Sequence, residues 1–252
     1  MRAYAMALVE RLQAHLGAEL LGAYLVGSAA QGGFAPDRSD IDIQAVCAEP
    51  LSRARKEQVV GSLAHPALVC PARGCEFVLY RRDAVAEPTT GGAYEINLNS
   101  GPRIPFHVSY DPSGDPGFWF VLDRAMLRDH GLILIGPRPR ELVAPIPYPW
   151  LREALLTALH WHAENDAPGA DSVLNACRAW CFAHERRWSS KVDAAAWART
   201  RVDAPAIIDQ ALALRAGTAD QALDRDHVRR FVTDVASRIA ATSDQHHFGD
   251  QP

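Results

Sequence analysis

The sequence predicts an α+β fold, a mixed sheet with helices over the first part of the chain and an all-α helical bundle over the rest. Three observations carry this. Short apolar runs near residues 20–26, 41–47 and 75–80 read as strands. Beyond Trp119 the apolar residues recur three and four apart, as helices require. The proline-rich stretch GPRPRELVAPIPYPW lies between the two regimes. The expected division is therefore residues 1–145 and 146–243, with 244–252 (DQHHFGDQP) as a frayed tail.

Taken in order, MRAYAMALVERLQAHL places Val9, Leu12 and Leu16 at helical spacing, and Glu10 interrupts its apolar run, so it reads as an amphipathic helix and not a targeting segment. LLGAYLVGS is a buried strand ending in a turn. DIDIQAVC is a strand with Asp40, Asp42 and Gln44 on one face and Ile41, Ile43 and Ala45 on the other. A short helix is expected near 51–63. In the next strand, CEFVLYRR, Glu76, Val78 and Tyr80 alternate against Cys75, Phe77 and Leu79. YEINLNS and PFHVSY are weaker strands, and FWFVLDRAMLRDHG is a helix closed by a glycine. Helices are expected near 150–165, 171–186, 190–199, 204–215 and 224–241.

Composition narrows the function. The chain has 252 residues, and its 48% hydrophobic and 22% charged content is that of a globular protein. No apolar run approaches the roughly 18 residues that a membrane span needs, and a cytoplasmic protein is expected. A net charge of −4 gives no reason to expect a nucleic-acid or membrane partner. The five cysteines form no C-x-x-C pair, and Cys177 and Cys181 read as buried thiols on a helix. His246–His247 in the tail are poor evidence for a metal site. Of 26 basic residues only Lys56 and Lys191 are lysine, which asks what arginine could not do at those positions.

The chemistry concentrates in GAYLVGSAAQGGFAPDRSDIDIQAV. Two carboxylates on one strand face, Asp40 and Asp42, repel unless a cation lies between them, and an all-oxygen site favours Mg²⁺ completed by water and phosphate. The Gly27–Ser28 turn opens a short helix whose amides and hydroxyl suit a phosphate.

Together Gly27, Ser28, Gly32, Ser39, Asp40 and Asp42 resemble the signature of the polymerase-beta-like nucleotidyltransferases, a Gly-Ser turn followed by Asp-x-Asp on the next strand. The resemblance implies a third carboxylate on a neighbouring strand, matched by Glu76. VLYRRDAV, YEINLNSG, LRDHGLILIGP, VLNACRAW and SSKVDAAAWA further resemble the aminoglycoside adenylyltransferases of the streptomycin and spectinomycin type, in which the nucleotidyltransferase domain is joined to a helical one. That likeness implies transfer of AMP from ATP to a drug hydroxyl, with ATP as co-substrate and one or two Mg²⁺ ions, and a monomer is expected. It implies Asp40 and Asp42 as metal ligands, Glu76 as general base or third ligand, and Gly27, Ser28, Ser39, Arg178 and Lys191 as nucleotide contacts. Trp161, Glu164, Asp166 and Asp171 in HWHAENDAPGAD would meet the cationic drug. Glu95 competes for the base, with a cross-strand structural role as its alternative. A family tryptophan expected after YEINLNSG is absent, and Gly101-Pro102-Arg103 stand there. The rivals are a nucleotidyltransferase acting on a protein, an RNA end or another small alcohol, and a non-catalytic nucleotide-binding module.

Overall fold

The computed structural model describes residues 1–165 and 169–242 and divides into two compact units, Met1–Ala154 and Leu155–Pro252. The first unit begins with α1 (Arg2–Leu16), β1 (Leu20–Leu25), α2 (Gly27–Ala30) and β2 (Ile41–Cys47). It continues through α3 (Arg53–Leu63), β3 (Cys75–Arg81), α4 (Arg82–Ala86), β4 (Tyr94–Ser100) and β5 (His107–Ser109). Then come α5 (Gly117–His130), β6 (Leu132–Ile135), α6 (Pro139–Leu142) and the start of α7 (Tyr148–Asn165). The six strands form one sheet in the order β5-β4-β3-β2-β1-β6. Only β2 and β3 pair in parallel, because α3 returns the chain to the sheet's starting edge between them; the other pairs are antiparallel.

Strand alternation sends the two sets of side chains into separate cores. Ile41, Ile43, Phe77, Leu79 and Ile96 pack with Leu8, Leu12 and Val59 from α1 and α3. Val46, Val78 and Tyr80 pack on the opposite face with Phe120 and Leu127 of α5. Arg124 of α5 is 2% exposed and donates to the carbonyls of Thr89 (2.6 Å), Gly91 (3.0 Å) and Gly92 (3.2 Å), so the loop before β4 is tied to the helix beneath it. Hydrogen bonds to a charged group contribute roughly 1.5–3 kcal/mol. Arg124→Met, which keeps the bulk and leaves those carbonyls unpaired, should lower stability by about that amount in chemical denaturation.

The second unit takes in the rest of α7 with α8 (Ala170–Glu185), α9 (Lys191–Arg199), α10 (Ala206–Ala216) and α11 (Arg225–Ala241). Helix α8 is central: it buries Val173, Leu174, Cys177, Trp180 and Cys181 among others, and packs on α9, α10 and α11. A helix apolar on most of its circumference belongs inside a bundle. In α11, Val228, Phe231, Val232, Val235 and Ile239 form a single buried stripe. The Cys177 and Cys181 thiols are free and buried, and burial raises both above the usual thiol range.

The division between units falls inside α7, past the proline-rich connector, because this helix runs unbroken from Tyr148 and its first turns group with the sheet. Strand β6 and helices α4 and α6 add to the elements expected from sequence. The expected tail lies outside the described residues. Among those described, no helix is long and apolar enough to cross a membrane.

Candidate active site

The parallel register of β2 and β3 sets Asp42 directly beside Glu76. Paired residues share a face, and Glu76 pairs in turn with Asn99 of β4, which pairs with His107 of β5. Asp42, Glu76, Asn99 and His107 thus form one polar row across four strands, with about 4.8 Å between neighbours. The row lies on the face that α5 covers further along, where Val46, Val78 and Tyr80 continue the same strands. Asp42 is half-buried and Glu76 is exposed.

The Gly27 turn closes over this row. Val26 N–H donates to the Asp42 carbonyl at 2.9 Å, and Gly27 takes φ +60°. A Cβ at Gly27 would overlap the Asp42 carboxylate, so only glycine lets the turn sit against that carboxylate. Ser28 follows in α2, and its buried Oγ has no hydrogen-bond partner; the buried Gln44 Oε1 has none either. A buried polar atom left unpaired is costly, and one beside a carboxylate pair suits a site that a ligand completes. Ser39 is buried, and its Oγ accepts from Ala35 N–H at 3.1 Å, closing the loop that leads into β2.

Asp40 has a partner that the sequence did not announce. Arg73 grips it with both arms of the guanidinium, Nη2 on Oδ2 and Nε on Oδ1 at 3.1 Å, while the Asp40 side chain is only 10% exposed. Ile41 N–H donates to Gly74 O at 2.8 Å, which seats the Arg73 segment against the start of β2. The donor set is oxygen only, which suits Mg²⁺ chemically. Among the described residues, however, no three His, Cys, Asp or Glu side chains are grouped to cage a metal. The residues fit an ion that keeps water and phosphate for most of its shell, with Asp42 and Glu76 adjacent and Asp40 held back by Arg73.

Glu95 lies apart from this row. It is buried, accepts from Leu51 N–H at 3.1 Å, and is ion-paired with Lys56 at 2.8 Å and Arg81 at 3.7 Å. Its oxygens serve the link between β4 and α3, the structural alternative named above. This also gives one lysine its role, as the compact cation beside a buried carboxylate.

In the second unit, Lys191 starts α9 and its Nζ lies 2.6 Å from Asp171 Oδ1. Arg215, from the last turn of α10, reaches the same oxygen at 3.6 Å. Arg178 stands two helical turns along α8 from Asp171 and donates to Asn175 Oδ1 at 3.3 Å. Burial lowers the Lys191 pKa from its ordinary value; Asp171 opposes this, and Arg178 and Arg215 add to it. Asp171 therefore stands beside two cations, and Trp161 and Glu164 lie near the end of α7. The Trp161 ring meets His162 edge-on at 5.4 Å, and Glu164 is exposed. Asp166 lies outside the described residues.

Sequence reasoning missed Arg73, Asn99, His107 and Arg215. The alternation of Asn97 and Asn99 in YEINLNS was a signal for the row; the two arginines carried none.

Residues 141–238 match the family model of the aminoglycoside adenylyltransferase C-terminal domain. The aminoglycoside (3'')(9) adenylyltransferases of Escherichia coli and Klebsiella pneumoniae are each 28% identical over 241 residues, covering 90% of this chain and 90% of theirs. The same fold occurs in the crystal structure of spectinomycin adenyltransferase AAD(9) from Enterococcus faecialis with ATP and spectinomycin. There the TM-score is 0.71 at 16% identity, over 92% of this chain and 98% of that one. By its C-terminal family model, its full-length relatives and its fold, the chain is similar along about nine-tenths of its length to the aminoglycoside adenylyltransferases.

Proposed function

We propose that the chain transfers AMP from ATP to a hydroxyl of a cationic aminoglycoside, streptomycin or spectinomycin, inactivating the drug. The observation that carries this is the Asp42–Glu76 pair lying against the Gly27–Ser28 turn, with the Ser28 hydroxyl unpaired. Relatives named for this activity along most of the chain support it.

The chemistry assigned to the residues is economical. Glu76 takes the proton of the drug hydroxyl, the oxygen attacks the α-phosphorus in line, and the bond to pyrophosphate breaks. The amides of the Gly27–Ser28 turn and the Ser28 Oγ hold phosphate oxygens. Mg²⁺ bound through Asp42, with Asp40 or Glu76, would supply positive charge to the phosphates. Ser39 shapes the loop that aims Asp40. Lys191 and Arg178 are assigned to nucleotide phosphates, and Trp161, Glu164 and Asp166 to the drug, whose ammonium groups suit an aromatic face and carboxylates. The acceptor is a small polycation and not a nucleic acid. The chain is assigned as a cytoplasmic monomer, where ATP is available.

The test is transfer of label from ATP radiolabelled at the α-phosphate, screened across aminoglycosides, RNA and protein acceptors with Mg²⁺. Labelled streptomycin or spectinomycin is expected. Label confined to RNA or protein, or no transfer at all, would overturn the reading. Lys191→Ala should weaken ATP binding by about tenfold, the equivalent of one charge-assisted contact, as read by calorimetry.

A further inference from the structure

The polar row across the sheet has two unlike ends. At one end the Gly27 turn sits against Asp42, so phosphates held by that turn lie on the β1–β2 side of Glu76. An attacking oxygen arrives in line with the departing pyrophosphate and opposite to it, so an acceptor whose hydroxyl meets Glu76 extends the other way, over β4 and β5. His107 stands at that end. It pairs with Asn99 on the edge strand β5, two strand spacings or about 10 Å along the row from Glu76. Its side chain is 47% exposed, and its Nε2 lies 3.5 Å from Asp115 Oδ1. Among the described residues the imidazole has no other polar partner.

Asp115 is fixed before the imidazole reaches it. Its side chain is 16% exposed, and Oδ2 accepts from the Tyr94 hydroxyl and from Asn97 Nδ2 at 2.9 Å. Tyr94 Oη also lies 2.7 Å from Ser109 Oγ and 2.8 Å from Asp111 O, which pins the loop carrying Asp115 to β4 and β5. Burial acts to raise the Asp115 pKa, but the hydrogen bonds from Tyr94 and Asn97 outweigh it, so the carboxyl lies below its ordinary value and stays charged. It does not need His107 as a partner, and an ion pair with a half-exposed imidazole adds little to stability. The influence runs the other way: the Asp115 charge favours the proton on Nε2 and leaves Nδ1 as a hydrogen-bond acceptor.

We propose that His107 binds the acceptor, its Nδ1 accepting a hydrogen bond from a hydroxyl or ammonium group of an amino-sugar ring lying over β4 and β5, and that Asp115 is the positioning residue that sets the tautomer and angle of the imidazole. A charged Asp115 beside a neutral imidazole leaves net negative charge at this end of the row, which suits a polycation and not a phosphate. The inference deepens the acceptor reading above and rests on it.

The experiment is steady-state kinetics of the full chain with Mg-ATP, varying streptomycin and spectinomycin in turn. His107→Ala should raise the KM of the labelled drug about tenfold, the loss of one hydrogen bond, while kcat and the KM of ATP stay within about twofold of wild type. His107→Asn, which keeps an acceptor atom at the δ position, should recover part of the loss; His107→Gln, which keeps one only at ε, should not. Asp115→Asn should raise the same KM several-fold in the wild-type background and add nothing to His107→Ala, a non-additivity that a merely structural carboxylate would not produce. An unchanged drug KM in His107→Ala, a fall in kcat with KM unchanged, equal recovery by His107→Asn and His107→Gln, or additive losses in the double variant would overturn the proposal. If the wild type labels neither drug, the acceptor reading fails and takes this inference with it. If a drug is labelled and His107→Ala handles it as wild type does, this inference alone falls.

Discussion

Asp42→Asn is expected to abolish AMP transfer while leaving the chain folded. The substitution keeps the shape that fits against Gly27 and removes the charge, so the turn stays closed. Charge neutralisation at the phosphates contributes several kcal/mol to such a reaction, and its loss corresponds to a fall in turnover of at least about 10³-fold. Thermal unfolding without Mg²⁺ should be unchanged or slightly raised, since Asp42 and Glu76 stand side by side and repel. Mn²⁺ titration followed by paramagnetic resonance gives a second readout, in which the variant should bind the ion more weakly than wild type. A variant that keeps most of its turnover would remove Asp42 from the role assigned to it.

Glu76→Gln is expected to lose turnover by about 10²–10⁴-fold, the usual contribution of a general base, with nucleotide affinity preserved. Glu76 is exposed at the row's centre, between the half-buried Asp42 and Asn99, which leaves it open to an acceptor hydroxyl. The two assignments for this residue separate cleanly. Loss of rate alone marks a base; Mg-ATP affinity falling together with rate marks a ligand. Calorimetry and single-turnover kinetics on the same preparation distinguish them.

The sheet was legible because its strands alternate. Ile41, Ile43, Phe77 and Leu79 announced one core, and Val78 and Tyr80 the other, by spacing alone. Strand β6 was not, since four apolar residues directly after a helix carry no alternation, and pairing with β1 is a long-range fact. Helix α8 was legible as a helix, but the partner of its Asp171 was not. Its ion pair with Lys191, twenty residues on, depends on how α8 and α9 pack. Arg73 poses the same difficulty: its grip on Asp40 spans 33 residues, and nothing in CPARGCEF marks it. Local pattern gives faces and periods. Register and packing decide which faces meet, and the polar row of Asp42, Glu76, Asn99 and His107 exists only through register.

The scarcity of lysine has a practical side. The chain's side-chain amines are Lys56, locked against buried Glu95 and 14% exposed, and Lys191, held by Asp171. Amine-directed labels and immobilisation supports therefore have the N-terminus as their main accessible target, so coupling leaves most of the surface unmodified. Lys191 is the exception with information in it. Burial lowers its pKa and so enlarges the neutral, nucleophilic fraction at a given alkaline pH. Its acylation, followed by mass spectrometry of the one peptide that carries it, would report site occupancy without any engineered probe.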